Sequence, residues 1–312
     1  MNMNTKIKKL TGTIQTFEPI FEREGITHSQ EAAIYYVLSV SNSSLNFTET
    51  LREARKMRRT VSQRGLTKGR DYLLRKGYLA KVLLMRSSGG EYEQRGWGYI
   101  PLHPKMIFKE NEAYLREIYE PEDFLIRKKH VEELYGAYED NYGDYGLKMA
   151  KGCITLQYSR KWIVSYIASL ITRSESRVKT LSMMPGGLRI FKEPYRQYYE
   201  GEIEKGLKIR MIFGGEEELD EIEEVRDMRS RYEGNVEIRY SPTISRTCKS
   251  FIIDDELAMD GKELLPLNRN GNGEGDGERL SYIGILYIKE EECVKNLRRD
   301  FENVWKTSKA LI

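Results

Sequence analysis

Residues 48–76 read TETLREARKMRRTVSQRGLTKGRDYLLRK. Cations at 52, 55, 56 and 59 are spaced i, i+3, i+4 and i+7, which on a helix places Arg52, Arg55, Lys56 and Arg59 on one face. Thr48 suits the N-cap of that helix, which runs to about Arg58. A further helix is expected between Thr60 and Lys76, its start blurred by Gly65 and Gly69. Upstream, HSQEAAIYYVLSV (28–40) spaces Ala32, Ile34, Tyr35, Val37 and Leu38 as a core helix behind a Ser29 cap. After Gly77 the period changes: YLAKVLLMR and RGWGYIPL are strand-like runs around a Ser/Gly turn, SSGGEYEQ, and predict a β-hairpin.

Three short helices followed by a hairpin is the order of a winged helix, in which the hairpin is the wing. Arg64, Lys68, Arg70, Arg75 and Lys76 carry the positive charge along the third helix, and Lys81 and Arg86 carry it onto the wing. A basic run alone is more often a solvated helix face. On the second helix, third helix and hairpin of this layout it favours double-stranded DNA as partner. Phosphate neutralisation supplies affinity without regard to sequence, and Ser62, Gln63, Thr67 and Arg70 are the side chains expected to reach base edges. Tyr92, Trp97 and Tyr99 are expected to pack the hairpin and not to stack on bases.

Residues 1–110 hold 19 Lys and Arg against 10 Asp and Glu, a net +9, whereas the remainder carries −6, so the two halves face different partners. At 312 residues the chain has room for two domains, and 39% hydrophobic with 32% charged residues fits a soluble globular protein. No apolar run reaches the length of a membrane span, and MNMNTKIKKLTGT lacks the apolar core of a signal peptide, so a cytoplasmic protein is expected. Cys153, Cys248 and Cys293 fit neither a disulfide framework nor a zinc site and read as small buried hydrophobes. Neither metal nor cofactor is expected.

Residues 1–106 are therefore read as the DNA-binding domain. Residues 107–152, helical, tyrosine-rich and broken at Pro121 and in DNYGDYG (140–146), are read as a connector. Residues 153–312 form the second domain, where helices (159–173, near 191–205, 216–231, 290–309) alternate with strands (176–184, 207–215, 235–241, a pair within 249–261, and SYIGILYI). That alternation predicts a mixed sheet covered by helices, an α/β sandwich, and an α+β chain overall. The acidic run GGEEELDEIEEVRD (214–227) sets its carboxylates opposite Leu219, Ile222 and Val225, as an amphipathic helix does and a metal site does not. MMPGGLRIF (183–191) reads as an ordinary strand-to-helix turn, SRKWIVSYIASLITR (159–173) as a core or dimer helix, and NRNGNGEGDGE (268–278) as a solvated loop.

Within the strand pair, Thr247-Cys-Lys249 is followed after four residues by Asp254 and after six more by Gly261. This resembles the phospholipase D superfamily motif, His-x-Lys, four residues, Asp, six residues, Gly-Ser. The resemblance implies a histidine nucleophile, a lysine on phosphate oxygens and a supporting aspartate, with two copies of the motif making one site. Here Thr247 stands for the histidine and Lys262 for the serine, and one copy is visible. His28, His103 and His130 all precede the domain, so no histidine within it can replace the nucleophile. Thr247, Lys249 and Asp254 are therefore expected to bind a small anionic or polyol ligand, or to be structural, without catalysis. A winged helix joined to a degenerate phospholipase D-like domain is similar to the TrmB-type archaeal transcription regulators. That resemblance implies a dimer on promoter DNA with a carboxy-terminal sensor of a small-molecule effector, so a homodimer is expected. Rival readings are a DNA-directed nuclease or phosphodiesterase with an atypical nucleophile, and an architectural or defence-associated DNA-binding protein.

Overall fold

The computed structural model describes all residues except 1–2, 43–46, 89–90, 144–151, 173–177, 186–189, 191, 193–194, 215–221, 245–247, 265–281 and 311–312, and side chains except also those of 3–9, 84–97, 222 and 248. Two compact units are present, one containing Met1–Val82 and Gly96–Lys148, the other Leu83–Arg95, Met149–Glu274 and Ser281–Ile312.

The first unit begins with a helix that the sequence reading did not anticipate, α1 (Met3–Arg23). Phe17, Ile20 and Phe21 are fully buried on it, and Phe21 meets Tyr36 and Tyr78 edge-on at centroid distances of 5.7 and 4.9 Å. Helix α2 (Ser29–Ser41) is buried almost all round, from Ala32 through Leu38, as a central helix must be. Its N-cap is His28, which makes no side-chain cap bond, so Ser29 is the first helical residue and not the cap. Helix α3 (Phe47–Met57) likewise starts before Thr48, which lies inside it.

Helix α4 (Gln63–Arg75) is capped by Ser62, whose Oγ accepts the Gly65 N–H at 2.9 Å. A Cβ on Gly69 would lie 2.6 Å from the Ala32 nitrogen and 2.8 Å from the Glu31 carbonyl carbon, so this glycine lets α4 lie directly on the backbone of α2. The glycine that obscured the helix in the sequence is the one that docks it. Strands β1 (Leu79–Ser88) and β2 (Glu91–Pro101) are sheet neighbours, as a hairpin requires. Two short helices, α5 (Pro104–Glu110) and α6 (Glu112–Ile118), lead into α7 (Pro121–Gly143). Pro121 opens that helix, where its missing N–H costs nothing. Helix α7 packs on α1 and α2; Tyr142 donates to the Ser39 carbonyl at 2.8 Å and Asn141 to the Val40 carbonyl at 2.9 Å.

Besides Leu83–Arg95 of the hairpin, the second unit contains, among the described residues, eight strands in the order β10-β6-β5-β4-β7-β8-β9-β3: β10 (Lys309–Ala310), β6 (Val236–Tyr240), β5 (Lys208–Phe213), β4 (Thr180–Met184), β7 (Cys248–Ile253), β8 (Leu257–Glu263), β9 (Tyr282–Ile288) and β3 (Gly152–Tyr158). Pairs β4/β5 and β5/β6 are parallel and the others antiparallel, which makes the sheet mixed. Helix α11 (Glu291–Thr307) covers one face, where Val294, Phe301 and Trp305 pack on Ile212, Ile252 and Ala258; each large side chain so buried stabilises by roughly 2 kcal/mol. Arg210 and Arg239 lie 4.2 and 4.4 Å from the Trp305 ring centre, and Arg210 also holds Glu302 in a two-point contact. That guanidinium keeps the Glu302 carboxyl below the ordinary carboxylate range. On the opposite face Trp162 of α8 (Arg160–Ile171) meets Tyr158 at 6.1 Å. Helices α9 (Arg196–Glu204) and α10 (Ile222–Arg231) complete the helical layers, and α10 packs on β6 with Val225 and Met228 buried. The mixed α/β sandwich read from the sequence is the architecture of this unit.

Strand β3 alternates buried Ile154, Leu156 and Tyr158 with outward residues. Cys153 points outward and is exposed, and Cys293 is half-buried, so these two are not the buried hydrophobes expected of them. Among the described residues, no helix is long and apolar enough to cross a membrane. The 268–278 loop and Leu219 lie outside the described residues.

Candidate nucleic-acid interface

Four residues of α4, Gly65, Leu66, Gly69 and Leu73, face the core. The opposite side presents Gln63, Arg64 and Lys68 exposed and Thr67 half-exposed, with Arg75 exposed at its end. Arg52, Arg55 and Lys56 are exposed on α3. The helix stops at Met57, so Arg59 does not share the helical face the spacing assigned to it; it lies with Arg58 in the exposed turn to α4, closed by the Val61 N–H to the Arg58 carbonyl at 3.2 Å. That turn brings a cation the i, i+7 arithmetic misses, Arg58, whose Nε donates to Thr60 at 3.0 Å.

Some of these cations are tethered. Lys56 pairs with Glu53 at 2.7 Å, and Arg52 approaches the same carboxylate at 3.8 Å. Exposed pairs of this kind are worth about 1 kcal/mol or less and yield to a stronger anion. Arg70 is different. Its guanidinium holds Asp71 Oδ1 at 2.8 Å and lies 5.3 and 5.5 Å from the rings of Phe47 and Tyr99. It joins the start of α3, the body of α4 and strand β2, and its reach to a base edge is correspondingly short. Tyr99 also packs edge-on to Tyr35 at 6.2 Å, and burial pushes the Tyr35 hydroxyl well above its ordinary range. Ser62 Oγ spends a lone pair on the cap and keeps its proton to donate. Lys81 is half-exposed on β1. The side chains of Arg86, Tyr92 and Trp97 lie outside the described residues.

In the second unit, Thr247 lies outside the described residues, and Lys249 and Gly261 are direct cross-strand partners on β7 and β8. Lys249 is half-exposed. Asp254 follows β7 at a positive φ of 48°, and its Oδ1 accepts from the Thr180 N–H at 2.8 Å, the Lys179 N–H at 3.0 Å and the Thr180 hydroxyl at 3.2 Å. It fastens the β7–β8 turn to the start of β4, a structural task. Lys249 and Asp254 stand at opposite ends of a strand and do not converge.

Gly261 is needed for another reason, one that neither motif nor period reveals. A Cβ there would lie 2.2 Å from the Tyr158 hydroxyl, and one on its neighbour Gly284 would lie 3.2 Å from the same ring. Tyr158 stacks on Tyr282 at 5.6 Å and rests on the two glycines, on the face that Lys249 shares. Its hydroxyl is buried and has no hydrogen-bond partner among the described residues, and burial pushes it well above its ordinary range. Gly261→Ala is therefore expected to cost about 2 kcal/mol by overpacking, and Tyr158→Phe to relieve most of that cost. Tyr158→Phe alone should stabilise by up to about 1 kcal/mol by removing an unsatisfied polar group. Urea denaturation of the four chains checks the cycle; additive costs would mean that the ring and the glycine do not meet. Among the described residues, no group of three His, Cys, Asp or Glu is placed to hold a metal ion.

No protein-family model matches the chain, and no curated protein matches it. Several solved structures do. TrmBL2, described as an archaeal chromatin protein with a novel mode of DNA binding, aligns over 90% of this chain and 94% of its own at 15% identity and a TM-score of 0.42. Nuc, a phospholipase D family member from Salmonella typhimurium, aligns over 47% of this chain and 90% of its own at 9% identity and a TM-score of 0.33. NucT from Helicobacter pylori aligns over 52% of this chain and 98% of its own at 11% identity and a TM-score of 0.35. At these TM-scores none of the likenesses bears on function, which rests on the chain's own residues.

Proposed function

We propose that this chain is a sequence-specific, DNA-binding transcription regulator that acts as a homodimer in the cytoplasm. Residues 1–106 are its winged-helix domain, 107–152 both cover that domain and connect it, and 153–312 are a non-catalytic phospholipase D-like domain that senses a small effector or a partner. The observation that carries the reading is the exposed basic surface of α3, its following turn and α4, where Arg52, Arg55, Lys56, Arg58, Arg59, Arg64, Lys68 and Arg75 all face solvent. Such a surface neutralises phosphates of a duplex. Gln63, Thr67 and Ser62, at the exposed start of α4, are the side chains placed to read base edges, and Lys81 and Arg86 extend the contact along the hairpin.

The second domain is read as non-catalytic because Thr247 stands where the motif places its histidine nucleophile and residues 153–312 contain no histidine. Lys249, with Thr247 two positions before it in the chain, is its candidate anion or polyol contact. An effector controls DNA binding only by the difference in its affinity for the competent and incompetent states. Mobility shift with the DNA upstream of the chain's own coding sequence tests the reading. Retardation at protein concentrations at which scrambled duplex of equal length stays free is the expected result. Equal affinity for the two at physiological salt would overturn the regulator and leave a general DNA-binding protein.

A further inference from the structure

Among the described residues, three of the five exposed large hydrophobic side chains, Ile118, Leu125 and Ile126, lie within nine residues at the α6–α7 corner, and Leu125 and Ile126 are 63% and 53% accessible. At 100° per residue, the buried Phe124, Val131, Tyr138 and Tyr142 define the core side of α7, and Glu122, Leu125, Ile126 and Lys129 fall opposite them. An apolar pair on the outer face of a helix, between a carboxylate one turn before and an ammonium one turn after, is not explained by the fold of its own unit. Acidic residues suit the first turn of any helix, but that accounts for Glu122 and Asp123 and not for Leu125 and Ile126. Among the described residues, neither Glu122 nor Lys129 forms an ion pair.

From this pattern we infer that the outer face of α7 binds the same face of a second copy of this chain, the two helices crossing antiparallel about a two-fold axis between Leu125 and Ile126. A two-fold interface must be self-complementary. With the axis at that point, residue 122 lies opposite residue 129 of the other copy. Glu122 then meets the partner's Lys129 twice over, and the four apolar side chains fill the centre. A parallel crossing would set Glu122 against Glu122 and Lys129 against Lys129, so the order of charges selects the antiparallel one. The inference rests on the homodimer proposed above and assigns its surface.

Sedimentation velocity on the full chain, across a concentration series, tests it. The expected species is a dimer. Glu122→Lys and Lys129→Glu should each weaken it about tenfold, because each sets like charges face to face. The double variant Glu122→Lys/Lys129→Glu should restore it, since the pairing is only reversed. Leu125→Glu/Ile126→Glu should raise the dissociation constant roughly 100-fold, with the melting temperature extrapolated to low concentration unchanged because both residues face outward. A dimer indifferent to these changes, or single charge variants that the double does not rescue, would overturn the α7 interface and leave the homodimer standing. A wild-type chain that stays monomeric at tens of micromolar would overturn both.

Discussion

Arg64→Glu together with Lys68→Glu is expected to lower the affinity of the chain for duplex DNA by roughly 100-fold or more, with the fold intact. The two residues are one helical turn apart on α4 and exposed, and the side that anchors the helix is formed by Gly65, Leu66, Gly69 and Leu73. Neither cation makes an ion pair among the described residues, so their charge faces solvent. Reversal therefore removes two attractive contacts and adds two repulsive ones, without touching the core. Fluorescence anisotropy with a labelled duplex measures the loss, and thermal unfolding should coincide with that of the parent chain. Lys205→Glu together with Lys208→Glu, an equal change of charge at two exposed positions of the second unit, should leave the affinity where it was. Equal losses in the two variants would mean that net charge, and not this surface, holds the DNA.

Gly69→Val should destabilise the first unit by about 3 kcal/mol or more, a fall of ~10 °C or more in its melting temperature. The atoms that a side chain at 69 would strike are the backbone of α2 at Glu31 and Ala32. Backbone in the first turn of a buried helix cannot rotate aside, so α4 must lift from α2, and the exposed cations of α4 move with it. Gly65→Ala, four residues earlier, should be close to neutral, because its neighbours at 3.1 Å are the ends of the Glu31 and Ser62 side chains and alanine favours the helix. DNA affinity should follow the same order. Circular dichroism melts of the two variants check the contrast; equal tolerance would mean that α4 does not rest on α2 as described.

The elements that the sequence made legible are those whose signal is local. Period-2 runs such as NVEIRYS and SYIGILYI appear as β6 and β9, and the change of period after Gly77 marks the hairpin. Helix α1 lies outside the elements read from the sequence although Leu10, Ile14, Phe17 and Phe21 keep helical spacing, and it holds two poor helix formers, Gly12 and Pro19. Gly12 admits the His130 ring of α7, 2.5 Å from where a Cβ would stand. Strand β3 lies outside the elements read from the sequence because the positions between its buried ones, exposed Cys153 and half-buried Thr155 and Gln157, blur the alternation.

At the candidate interface, composition indicated the cations but not their tethers. Arg70 looks like its neighbours in sequence, and only the arrival of Phe47 and Tyr99 from other elements makes it a brace. The exposed set gained Arg58 because the end of α3 is fixed by its turn and not by the charge pattern. In the second unit, the roles of Asp254 and Gly261 depend on Thr180 and Tyr158, which stand 74 and 103 positions earlier. No spacing rule reaches that far.

The central claim, that the exposed cations of α3, its turn and α4 hold duplex DNA by its phosphates, is tested most directly by the salt dependence of binding. Anisotropy titrations of the full chain with a labelled duplex between 50 and 200 mM salt should give a log–log slope of about −4 to −6, as for some five to seven phosphate contacts. A slope near zero, or no measurable binding at the lowest salt, would contradict it.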